Sequence, residues 1–137
     1  MSYEILEHSA DEKFHAEAET REKALSEVVE AFAEIVGADT EGMYHHSIEV
    51  VSENMEALLY DFLDELIFLQ DSERVVISHS EKVSFEEFED GFRVEADLLV
   101  DTITADMSPA DIKAPTYNEM KIDYEGGLWI LEAVLDV

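Results

Sequence analysis

The chain has 137 residues, with 8 Lys and Arg against 35 Asp and Glu and a formal net charge of −27 at pH 7. That length predicts one domain over residues 1–137, able to bury about two-thirds of its unfolded surface without a covalent staple. The absence of Cys excludes disulfides and thiolate metal sites, and the charge opposes autonomous nucleic-acid binding, which relies on Lys and Arg to neutralise phosphate.

The start, MSYEILEHSA, lacks the basic and apolar regions of a signal peptide, and no apolar run reaches membrane-span length. These features predict a soluble, cytoplasmic protein with no membrane contact. Divalent cations and basic proteins are the partners that its charge favours. Salt adaptation is the other source of such acidity, and composition does not separate the two.

Tyr3 to Glu7 reads as a short strand, and Lys13 to Ala18 as a half-buried one. In the second, Phe14, Ala16 and Ala18 alternate with Lys13, His15 and Glu17. Thr20 is placed to cap a helix over Arg21 to Val36. The stripe there is Leu25, Val28, Val29, Phe32 and Val36, and Gly37 stops it. Asp39 to His46 reads as a loop and Ser47 to Val51 as a strand. The helix that organises the rest runs from Asn54 to Asp71. Met55, Leu58, Leu59, Phe62, Leu63, Leu66 and Ile67 make one apolar face, opposite Glu56, Asp61, Asp64, Glu65 and Gln70. Its acidic polar face argues against a membrane-surface role.

Arg74 to Ser78 and Val83 to Phe88 read as separate short strands. Asp90-Gly91 turns the second into Phe92 to Asp101, the clearest alternating strand in the chain. Ala105 to Asp111 is a loop. Ile112 to Tyr117 is extended, with Pro115 restricting it to an edge or a bulge. Gly126-Gly127 joins Met120 to Tyr124 with Leu128 to Val137, and that last strand is apolar enough to be central. The pattern predicts an α+β domain: two long amphipathic helices packed on a mostly antiparallel sheet, or on two sheets.

No nucleophile–base pair and no Gly-rich phosphate loop announces itself. Of His8, His15, His45, His46 and His79, none has helical metal-ligand spacing, and His45-His46 reads as a solvent-exposed loop pair. Asp136 stands beside Val137, where a second carboxylate would be the chain's own. Two anions placed so close either raise a pKa or recruit a cation, and oxygen-only donors suit Ca²⁺, Mg²⁺ or Mn²⁺. A solvated end is the alternative. Lys113 stands out as a cation in an acidic field, and an ordinary surface Lys neutralising Asp111 accounts for it equally.

Five segments taken together resemble the signatures of the archease family. HSAD (His8 to Asp11) is similar to its HTAD motif, and Ala24 to Phe32 follows where its first helix lies. LLYDFLDELIFLQDSE (Leu58 to Glu73) looks like its second-helix motif, IKAPTY (Ile112 to Tyr117) like its KAxTY motif, and AVLDV (Ala133 to Val137) like its C-terminal signature. The resemblance implies an accessory protein, not itself an enzyme, that activates the RtcB-type RNA-splicing ligase of tRNA splicing. It would promote guanylylation of the ligase and multiple turnover. It further implies a divalent-cation site, most readily Ca²⁺, at Asp11, Asp136 and Val137, with Lys113 needed for activation. The site would explain a chain that stops at Val137. Ser9 in place of Thr keeps the hydroxyl, whereas Asn118 in place of the frequent His removes any His role there. Two other classes compete: a small metal-dependent hydrolase or nuclease, and a chaperone-like interaction protein.

Overall fold

The computed structural model describes residues 1–6 and 11–137. Among these residues the elements are β1 (Ser2–Leu6), β2 (Glu12–Ala18), α1 (Arg21–Val36), β3 (Tyr44–Ser52), α2 (Met55–Glu73), β4 (Val75–Phe88), β5 (Gly91–Thr102), β6 (Ala114–Glu125) and β7 (Leu128–Asp136). The strands form two antiparallel sheets, ordered β1-β2-β7-β6 and β3-β5-β4. The α+β reading with two sheets and two amphipathic helices therefore holds.

Both helices begin as their sequences dictate. The side chains of Thr20 and Asn54 accept hydrogen bonds from Lys23 N and Ala57 N, satisfying donors that the first turn leaves free. Gly37 closes α1 in the left-handed region at φ 77°, its N–H returning to Ala33 O. Arg74 closes α2 in the same region without being a glycine, so it ends the helix rather than starting a strand. Each apolar stripe is buried as predicted, with Phe32, Phe62, Leu58, Leu63 and Leu66 at zero exposure. Helix α1 packs on β1, β2 and β7 of the first sheet and on β4 of the second. Helix α2 packs on β6 of the first and on all three strands of the second. One core thus joins the sheets through the helices, with Phe14, Ala16 and Ala18 of β2 and Leu131, Ala133 and Leu135 of β7 facing it.

Four segments differ from the sequence reading. β3 starts at Tyr44 because β5 extends to pair with it, Tyr44 against Val100, so His45 and His46 are strand residues and not a loop. The two short strands around Ser78 and Val83 are one strand, β4. Its register against β5 shifts between Ile77 and His79 and again between Ser80 and Lys82. Bulges insert unpaired residues and break the alternation that marks a strand in sequence. Ile112 to Tyr117 and Met120 to Tyr124 similarly merge into β6, with an irregularity between Thr116 and Lys121 around Glu119 at φ 59°. Pro115 is tolerated because β6 is an edge strand. α2 runs two residues past Asp71, to Glu73.

β7 is central, between β2 and β6, as its apolarity predicted. The hairpin at Gly126-Gly127 has both glycines at positive φ. Gly91 is required by contact: a Cβ there would stand 2.7 Å from Ser52 O.

Candidate functional site

Three chain segments from distant parts of the sequence converge at the C-terminal end of β7. The last paired residues of β2 and β7 are Glu12 and Leu135, and one further step of that antiparallel register sets Asp11 across from Asp136. On the other flank Ala114 of β6 pairs with Asp136, and Lys113 N donates to Asp136 O at 2.8 Å. Asp11 and Asp136 are half-buried, whereas Lys113 and Val137 are exposed. Among the described residues no carboxylate oxygen is found within 4 Å of the Lys113 ammonium. His8, Ser9 and Ala10 of the HSAD segment lie outside the described residues.

The chemistry at this end is oxygen-rich. Thr116 lies on the same face of β6 as Ala114, whose pairing partner is Asp136, and its Oγ1 is buried without a hydrogen-bond partner. A buried hydroxyl without a partner is costly, and a cation or water in reach would satisfy it. Carboxylate and hydroxyl oxygens fit a hard divalent ion such as Ca²⁺, Mg²⁺ or Mn²⁺. The side chains are not drawn into a compact cluster. Among the described residues, the His, Asp and Glu groups with three ligand atoms within 4.8 Å of one another do not include Asp11 or Asp136.

The outer face of the first sheet carries a polar network beside this end, in which the alternating Lys13, His15 and Glu17 of β2 meet Glu119 and Glu132, the two members that the sequence reading did not single out. Lys13 Nζ lies 3.4 Å from Glu119 and 3.8 Å from Glu132. His15 Nδ1 approaches Glu132 Oε2 at 2.6 Å and its Nε2 approaches Glu17 at 3.3 Å. Burial lowers the imidazole pKa, but the hydrogen bonds and charges of Glu132 and Glu17 outweigh it, and the net shift is upward. Glu17 is shifted downward, chiefly by its hydrogen bond with His15. Alternation along β2 placed Lys13 and His15 on the outer face. Their partner Glu132 is 117 residues from His15, and only the β2–β7 register brings it there.

The segments IKAPTY and LLYDFLDELIFLQDSE also meet in space. Tyr117 stacks on Tyr60 of α2 with ring centroids 4.5 Å apart and planes 11° from parallel. Asp61, next in the helix, accepts a hydrogen bond from Ser52 Oγ at 2.7 Å, tying the end of β3 to α2. Burial, Asp61 and Tyr60, in that order, raise the Tyr117 phenol pKa.

A two-helix, two-sheet scaffold with an oxygen-rich strand end and a solvent-facing Lys defines a small acidic α+β protein. The chain belongs to the archease family: the model of the Archease protein family matches residues 3–137. The archease of Methanosarcina mazei is 31% identical over 98% of this chain and 95% of its own, and that of Thermococcus kodakarensis 31% identical over 98% of each. The solution structure of Methanobacterium thermoautotrophicum protein 1598 superposes with a TM-score of 0.86 at 29% identity, over 99% of both chains. A Thermotoga maritima structure described as an archease and possible chaperone shares the fold at a TM-score of 0.54 and 19% identity, over 96% of this chain and 94% of its own.

Proposed function

We propose that this chain is a cytoplasmic accessory activator of an RtcB-type RNA-splicing ligase, not a catalyst in its own right. The observation that carries the reading is the convergence of Asp11, Lys113 and Asp136 at one end of the first sheet, the first from near the start of the chain and the other two from its last third. These are the positions that the family resemblance marks for activation. Asp11, Asp136 and Val137 supply the oxygen ligands of a divalent cation, most readily Ca²⁺, with Mg²⁺ or Mn²⁺ served by the same donors. When bound, such an ion supplies positive charge for phosphate oxygens. Lys113, exposed at the same end, supplies a second positive charge to phosphate or balances the carboxylates. The net charge of −27 steers the molecule toward a basic cleft on the ligase and away from free polynucleotide.

The test is multiple-turnover ligation of RNA ends by an RtcB-type ligase, with and without this protein, beside the Asp11→Ala and Asp136→Ala variants. Stimulation by the wild type and none by folded variants is the expected result. Stimulation by all three would discard the site and keep the partner. RNA cleavage or ligation by this protein alone would establish the enzyme reading instead.

A client-binding role is the second reading. It is favoured by the exposed apolar side chains Met43, Tyr44, Val51 and Phe68, each more than half accessible. Capture of unfolded proteins without any effect on the ligase would establish it.

A further inference from the structure

The second sheet carries a different constellation, far in sequence from the acidic strand end. Asp97 lies on its central strand, β5, with His45 on β3 to one side and Glu81 on β4 to the other. Register explains how they meet. His45 pairs with Leu99 and Ser47 with Asp97, so His45 and Asp97 share the outer face two positions apart. Ser80 pairs with Leu98 and Lys82 with Asp97, leaving Glu81 as the extra residue of a bulge. A bulge re-aims one side chain out of the regular alternation, and here it aims a carboxylate at Asp97 and His45. His46, one residue along, falls on the opposite face with the buried Ile48.

The distances fit a three-residue metal site. His45 Nδ1 stands 3.1 Å from Glu81 Oε2 and 3.3 Å from each Asp97 oxygen, and the ligand atoms of the three residues all lie within 4.8 Å of one another. A charge-assisted N–H···O bond closes to about 2.7–2.9 Å, as the His15–Glu132 contact does at 2.6 Å. Two ligands each about 2.05 Å from a tetrahedral ion stand about 3.3 Å apart. The 3.1 and 3.3 Å separations match the edges of such a tetrahedron, and they are also compatible with hydrogen bonds from a protonated His45 to the two carboxylates. Two carboxylates on separate strands are held together at a solvent-facing position in a strongly anionic chain, which favours a cation between them.

We propose that His45, Glu81 and Asp97 form a second metal site, specific for a borderline divalent ion of the Zn²⁺, Co²⁺ or Ni²⁺ type. The imidazole nitrogen sets this preference, because Ca²⁺ and Mg²⁺ favour oxygen donors throughout. Side-chain exposures of 60%, 55% and 35% leave room for water to complete the coordination. The site is independent of the proposed ion at Asp11 and Asp136, which lies on the other sheet.

Titration of chelator-treated full-length protein with Co²⁺, followed by visible absorption and by calorimetry, tests the proposal. One bound equivalent, displaced by Zn²⁺ and not by Ca²⁺, is expected in the wild type and in Asp136→Asn. His45→Gln and Glu81→Gln, both at exposed positions, should lose that equivalent while keeping wild-type circular dichroism. Retention of the equivalent in both variants, its loss in Asp136→Asn, or no Co²⁺ binding by the wild type would each overturn the assignment.

Discussion

Tyr60 and Tyr117 stack face to face, 4.5 Å between ring centroids, and so fasten the edge strand β6 to helix α2 beside its irregularity. Edge strands lack a second strand to pair with, and Tyr117 lies where pairing with β7 lapses. Side-chain stacking holds the backbone there in place of ladder hydrogen bonds. Replacing Tyr117 with Ala should cost about 0.5–1.5 kcal/mol beyond lost area, toward the lower end because the ring is 55% exposed. Urea unfolding checks the value, and faster amide exchange confined to β6 would locate it. An unchanged exchange pattern would show that the stack is ornamental.

Asp101 is a buried carboxylate with a structural task. It breaks the alternation at the end of β5 and accepts hydrogen bonds from Gly42 N at 2.7 Å and Met43 N at 3.1 Å. Asp101→Ala leaves Gly42 N without this acceptor, while Met43 N keeps Val100 O at 3.0 Å, at a cost of about 1–3 kcal/mol. The loss should appear in thermal unfolding. Asp123→Ala, at an exposed position on β6, serves as the control and should change stability by about 0.5 kcal/mol or less. Equal effects from the two variants would refute the role assigned to Asp101.

His15 predicts a pH dependence with a definite sign. Only the doubly protonated ring donates to Glu132 and Glu17 at once, and its folded pKa is raised above the ordinary 6.5. The imidazolium's contribution is then complete below about pH 6.5 and is lost as pH rises through the raised value. Glu17 behaves in the opposite sense. Its folded pKa is depressed, so its contribution is present above its ordinary 4.5 and is lost as pH falls through the lowered value. Denaturant midpoints should decline on the alkaline side of the His15 titration in the wild type and stay flat there in His15→Gln. A wild-type profile that rises over that interval would reverse the sign.

The charge of −27 sits on a single small domain and repels itself. Salt shortens the screening length from about 10 Å at 0.1 M to about 3 Å at 1 M. Melting temperature should therefore rise with NaCl over that range. A flat or falling curve would mean that the attractive pairs, such as Lys13 with Glu119 and Glu132, outweigh the repulsion.

Much of the fold was written in local pattern. The 3.6-residue stripes of α1 and α2, the caps Thr20 and Asn54, the alternation in β2 and β5, and the Gly-Gly hairpin each depend on residues within a few positions. Short-range sterics and amphipathicity decide them, so each is legible in its own segment of the chain. The two bulges of β4 and the lapse in β6 are tertiary outcomes. Each one answers to the register of a partner strand, β5 or β7; Pro115 marks β6 as an edge or bulged segment, but nothing within the β4 segment announces its bulges.

The candidate sites divide in the same way. Asp11, Lys113, Asp136 and Val137 were legible as residue types and through family resemblance, while their convergence rests on β7 lying between β2 and β6. His45 read as half of an exposed loop pair until β5 drew it into a strand, turned it away from His46 and set Asp97 and the bulged Glu81 beside it. Amino-acid sequence determined the class of protein, its helices and its acidic surface, because those follow from local periodicity and composition. Strand pairing alone decided which carboxylates share a face, because a one-residue change of register moves every side chain of a strand to the other side.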